Sequence, residues 1–89
     1  MKELLETITW LLEEGFEIKK DEYGELMFEF WGETKGLENW HTIEEIQEID
    51  GVLHCRVAAS VRTSDYHKNF VLRCVPFTID SVKRCLKEI

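Results

Sequence analysis

Three cysteines, three histidines and the run Ser64, Asp65, Tyr66, His67 are the residues of this chain whose types could support covalent or metal chemistry. Cys55, Cys74 and Cys85 stand 19 and 11 residues apart, which matches no C-x₂-C metal signature. Strand pairing that sets Cys55 against Cys74 beneath a helix carrying Cys85 would bring three thiols together, enough for a soft metal or one disulfide. Free cysteine is otherwise a core-filling residue, and an odd number of thiols fits a reduced state, so the three are assigned to packing. A histidine site needs at least two imidazoles to converge. His54 falls on the outer side of a strand, His67 in a loop and His41 ahead of a helix cap, so no such site is expected. The Ser64–His67 run resembles catalytic residues only in type. Neighbours in a turn point in different directions, whereas triads are assembled from separated segments. There is also no glycine-rich phosphate loop. The expectation is a protein that is not an enzyme, with no cofactor and no metal.

Size and charge narrow the remaining classes. Eighty-nine residues, 44% of them hydrophobic, suffice for one domain over residues 1–89 and not for two. The apolar segment near the start, LLETITWLL, contains Glu6 and runs directly into EEGFE, so neither a membrane span nor a secretion signal is read there, and a cytoplasmic location is expected. Residues 1–50 carry 15 acidic side chains against 4 lysines, whereas residues 51–89 carry 3 acids against 7 lysines and arginines. The total of −7 disfavours direct nucleic-acid binding. The acidic half can pair with the basic half of its own fold, or it can steer the protein toward a basic partner.

Periodicity supplies the elements that must position these side chains. Leu5, Ile8 and Leu12, with Leu4 and Leu11 alongside, predict a helix over 3–14 ended by Gly15. FEIKK and ELMFEFW alternate with period two around DEYG, a hairpin over 16–31 in which Phe16 faces Phe28 and Ile18 faces Leu26. Thr42 and Glu45 form a capping-box pattern ahead of Ile43, Ile46 and Ile49, predicting a short helix over 43–49 that stops at Gly51. Residues 52–61 and 69–75 read as a second hairpin around RTSDYHK, with Ala59 against Phe70, Val57 against Leu72 and Cys55 against Cys74. Pro76 ends it, Thr78 caps a closing helix, and Ile79, Val82, Leu86 and Ile89 line that helix. The predicted fold is a two-layer α+β domain: a four-stranded antiparallel sheet of two hairpins with three helices, in the order α-β-β-α-β-β-α.

That order is similar to the small acidic secretion-chaperone and YbjN-like folds, which implies a dimeric binder of other proteins; those families carry one strand more, which LENWH could supply. The outer sheet face is the informative surface. Met27 and Trp31 point outward by alternation, and no helix is left to cover them, so they are candidate partner contacts. Trp40 either plugs the core edge under the short helix or extends the exposed patch. Glu44, Glu45 and Glu48 offer carboxylates to a basic surface. Arg56 facing Arg73, with His54 nearby, would make an anion site if no carboxylate neutralises the pair. The leading expectation is a protein-interaction module that forms a homodimer or covers a cognate protein, a basic one among the alternatives. It would act as an inhibitor or immunity-type protein, engaging a basic nuclease, toxin or CRISPR effector as DNA mimics do, or as a secretion-chaperone-like protein. The alternatives are a binder of a small anion through Arg56, Arg73 and His54, or a structural domain.

Overall fold

Leucine spacing and one glycine set the first element. The computed structural model describes residues 2–34, 37–62 and 67–87, and at 34, 37 and 67–73 it describes the backbone. Helix α1 runs Lys2–Glu13. Gly15, at φ +98°, turns the chain out of it: the Gly15 amide donates to Leu12 O and the Phe16 amide to Leu11 O, at 3.1 and 3.0 Å. This is a Schellman ending, and its two apolar members, Leu11 and Phe16, are both buried. The buried Thr7 hydroxyl satisfies itself by donating to Glu3 O at 2.9 Å.

Strands β1 (Glu17–Lys20) and β2 (Leu26–Thr34) form the first hairpin. Ile18 pairs with Phe28 and Lys20 with Leu26, a slide of two residues from the expected pairing that leaves each side chain on its expected face. The turn imposes this. The Asp21 carboxylate accepts from the Tyr23 and Glu25 amides, the Asp21 amide donates to Glu25 O, and Gly24 takes φ +79°. Asp21 is thereby locked opposite Glu25, and every later pair follows.

The expected helix over 43–49 is strand instead. β3 runs Leu37–Ile49 and β4 Val52–Arg62, so the described elements are two helices and five strands in the order α-β-β-β-β-β-α. Two local features account for the difference. A β-bulge between Glu44 and Gln47, with Glu45 at φ +53°, puts one extra residue into β3. Ile43 and Ile46, three apart, therefore both reach the core from a strand. Asp50 and Gly51, at φ +51° and +80°, then form a two-residue turn of type I′, which joins β3 to β4 where a helix stop was read.

β5 (His67–Pro76) completes a sheet ordered β1-β2-β3-β4-β5, antiparallel throughout. The expected register holds at Ala59 with Phe70 and fails beyond a second irregularity between Val57 and Ala58, where Val57 pairs with Arg73, Arg56 with Cys74 and Cys55 with Val75. Cys74 is consequently exposed, and Val75 packs against the core. Helix α2 (Ile79–Lys87) starts at Thr78, whose hydroxyl accepts from the Ser81 amide at 3.2 Å. The core between the two helices and the inner sheet face holds Leu11, Phe16, Phe28, Ile43, Cys55, Val57, Phe77, Val82 and Cys85. Phe28 and Phe77 stack at 6.0 Å. Complete burial of a side chain such as Phe28 is worth about 1.5–3 kcal/mol. Residues 63–66, where a polar turn with Ser64 and Asp65 is expected from the sequence, and Ile89 lie outside the described residues.

Candidate functional site

Both helices and the core lie on the inner side of the sheet, so the outer side is bare of helices among the described residues. Alternation along β2 sends Phe28 and Phe30 inward and Glu29 and Trp31 outward. Pairing of Trp31 with Trp40 across β2 and β3 sets the two indoles side by side, stacked at 5.5 Å with planes 23° apart. Trp40 therefore extends the outer patch and does not plug the core edge. Its indole N–H donates to Glu29 Oε2 at 2.9 Å, and Glu29 Oε1 accepts from Lys19 Nζ at 2.6 Å. Lys19 first, with the Trp40 and Trp31 donors adding to it, holds the Glu29 carboxyl below the usual glutamate range against the opposing effect of burial. Trp31 remains 53% exposed although its ring stacks on a fixed neighbour. Met27, on the same strand and face, is nearly buried, and Thr42, in register between Glu29 and Ala58, is buried.

The carboxylates gather around the turn of the first hairpin. Asp21, Glu22, Glu25, Glu44 and Glu45 line a cleft of about 720 Å³, with Arg56 as its basic member. Tyr23 at the tip is 81% exposed. Leu26, at the cleft, and Trp31 are five residues apart on β2, so the aromatic pair and the acidic cleft are separated by about 17 Å along the strand. Glu48 is exposed near the end of β3 and does not line the cleft.

Arg56 is engaged by carboxylates. It donates to Glu44 Oε1 at 2.8 Å and approaches Glu45 Oε1 at 3.3 Å, while its buried Nε finds no partner among the described residues. Glu44 first, then Glu45, raises the guanidinium pKa still further. Arg73 stands opposite Val57, not Arg56, and its side chain lies outside the described part. The like-charge pair on which the anion site depended is not formed in this register. His54 Nδ1 sits 2.9 Å from Val52 O, a local contact within its own strand. Cys55 and Cys85 are buried and Cys74 exposed; burial, reinforced by the neighbouring thiols, pushes Cys55 up to about 12. Such a thiol stays protonated and unreactive.

His41 carries a signal that sequence reasoning missed. It lies on the inner side, half-buried, its ring stacked on Phe30 at 5.6 Å. The alternation of His41 with Thr42 and of Ile43 with Glu44 could have disclosed this, had the segment been read as strand. Among the described residues no group of three or more His, Cys, Asp or Glu is arranged to hold a metal ion, and no helix is long and apolar enough to cross a membrane. What the surface can do follows from its own composition, an ordered indole pair on the outer face and a carboxylate-lined cleft about 17 Å along the strand, because no protein-family model, curated protein or solved structure matches the chain.

Proposed function

We propose that this chain is a non-enzymatic binding module that docks a basic protein partner across its helix-free sheet face, with Trp31 as the anchor. The observation that carries the reading is the half-exposed Trp31 ring held against Trp40, itself tied to Glu29 and Lys19. Tryptophan is among the residue types that dominate binding energy at protein interfaces. An indole already fixed before contact loses little conformational freedom on binding, so more of its burial appears as affinity. The acidic cleft supplies charge complementarity: five carboxylates against one arginine attract a cationic surface and disfavour an acidic one. A partner presenting an apolar pocket and a basic group about 17 Å away would satisfy both zones. An inhibitor or immunity-type role, in which a basic working surface of another protein is occluded, fits that chemistry.

The test compares capture from source-cell lysate by the unmodified chain, Trp31→Ala and Leu5→Ala, an exposed position on α1 away from both zones, at low and high salt, with sedimentation of the isolated chain alongside. The reading expects one basic protein that is retained by Leu5→Ala, lost with Trp31→Ala and weakened by salt. Equal capture by Trp31→Ala would remove the anchor. A salt-resistant dimer of the chain itself that dissociates on Trp31→Ala would replace the basic partner with a second copy.

A further inference from the structure

A hollow of about 260 Å³ opens on the inner side, between the C-terminal parts of α1 and α2 and the aromatic side chains of β2 and β3. Its floor is aromatic. Phe16 and Phe30 meet at 5.5 Å, His41 stacks on Phe30, and Trp10 closes one side. Gly32 leaves the Phe30 ring its room, since a Cβ there would stand 2.7 Å from it. The hollow is open to solvent at its rim, and an aromatic-walled hollow with a few polar groups is the usual form of a small-molecule site.

Two observations define the occupant's chemistry. His41 forms part of this wall, and its enclosed Nε2 has no hydrogen-bond partner among the described residues. Buried polar atoms are nearly always paired, so this nitrogen is left for a polar group that reaches the wall. Lys83 and Lys87, one helical turn apart on α2, stand at the rim with Glu14 as the only acid among the described lining residues. Two lysines against one glutamate leave the described lining net positive on a chain whose formal charge is −7. Burial lowers the His41 pKa, so the imidazole is neutral near pH 7 and can donate one N–H to an oxygen without competing for a proton.

We infer that this cavity binds a small monocarboxylic acid with an apolar or aromatic body, the body lying against Phe16, Phe30 and Trp10 and the carboxylate meeting His41 and the rim lysines. The site lies on the opposite side of the sheet from Trp31 and stands independently of the protein-binding reading.

The probe is 3-phenylpropionate, with its uncharged amide as control, titrated into the full ¹⁵N-labelled chain and followed by the three indole N–H resonances. The expected result is a saturable shift of the Trp10 signal with those of Trp31 and Trp40 unmoved, and at least tenfold weaker binding of the amide. A Lys83→Ala, Lys87→Ala double variant, altered only at exposed positions, should fold normally and lose at least tenfold in affinity for the acid. Equal binding of acid and amide, unchanged affinity in the double variant, or no saturable Trp10 shift would each overturn the inference.

Discussion

The Glu29 hydrogen bond is the contact that orders the outer face, and its strength can be measured by a double-mutant cycle. Glu29→Ala removes the acceptor of both Trp40 Nε1–H and Lys19 Nζ. Leaving a buried donor unpaired costs about 1–3 kcal/mol, and Trp40 is half-buried, so the lower end, about 1 kcal/mol, applies to the indole. The Lys19 side chain is 46% exposed, so its ion pair is screened by solvent and adds little. The variant should therefore lose about 1 kcal/mol, nearly all of it from the indole. With a urea slope of about 1–1.5 kcal/mol per molar for a chain of this size, its midpoint falls by about 0.7–1 M. Trp40→Phe keeps a ring beside Trp31 and loses the N–H. If the bond operates as described, the combined variant is about 1 kcal/mol more stable than the sum of the two single losses predicts, because the same bond cannot be lost twice. Unfolding should be followed by circular dichroism, since the substitution removes a fluorophore. Additivity within about 0.3 kcal/mol would refute the coupling, and with it the claim that Glu29 pre-orders the anchor.

Acid should act through the same carboxyl: its folded pKa lies below the ordinary 4.5, so its contribution is complete above that value and is lost as pH falls through the folded pKa. Urea midpoints measured from neutral pH downward should drop more steeply below about pH 5 for the native chain than for Glu29→Gln. Gly32→Ala should cost about 1–3 kcal/mol, because the new methyl meets the Phe30 ring at 2.7 Å and must push it off its seat; an unchanged thermal midpoint would contradict that geometry. A maleimide should add one label per native chain, at Cys74, and further labels at Cys55 and Cys85 only after unfolding, which intact-mass spectrometry resolves directly.

Both helices were legible because their stripes of period 3.6 come with explicit ends, Gly15 for α1 and Pro76 with Thr78 for α2. β3 was not legible for a specific reason. Its bulge at Glu45 converts a strand's spacing of two into a spacing of three at Ile43 and Ile46, which is also how a helix presents one face. Thr42 then supplied an apparent cap. The countervailing signal was Asp50-Gly51, a two-residue hairpin turn with apolar and β-branched runs on either side. The registers failed where local backbone chemistry outweighed matching of apolar side chains. Asp21 fixed the first hairpin, and the irregularity between Val57 and Ala58 reversed the faces of Cys74 and Val75. On the candidate face, Trp31 was readable from alternation along a regular strand. Trp40 became readable only once residues 37–49 were known to be its partner strand.

Because each strand pairs only with its neighbours in the sequence, the sheet can be assembled with no long loop to close. The Asp50-Gly51 hairpin, whose ends are two residues apart, can zip on a timescale of about 1–10 μs and offer both its edges for extension, to β2 on one side and β5 on the other. Local pairing of this kind favours fast folding for a β-rich chain. Until α2 follows β5 out of the synthesising ribosome and docks, Cys55, Val57 and Phe77 lack the cover of Val82 and Cys85, so α2 governs how long the nascent sheet remains open to aggregation.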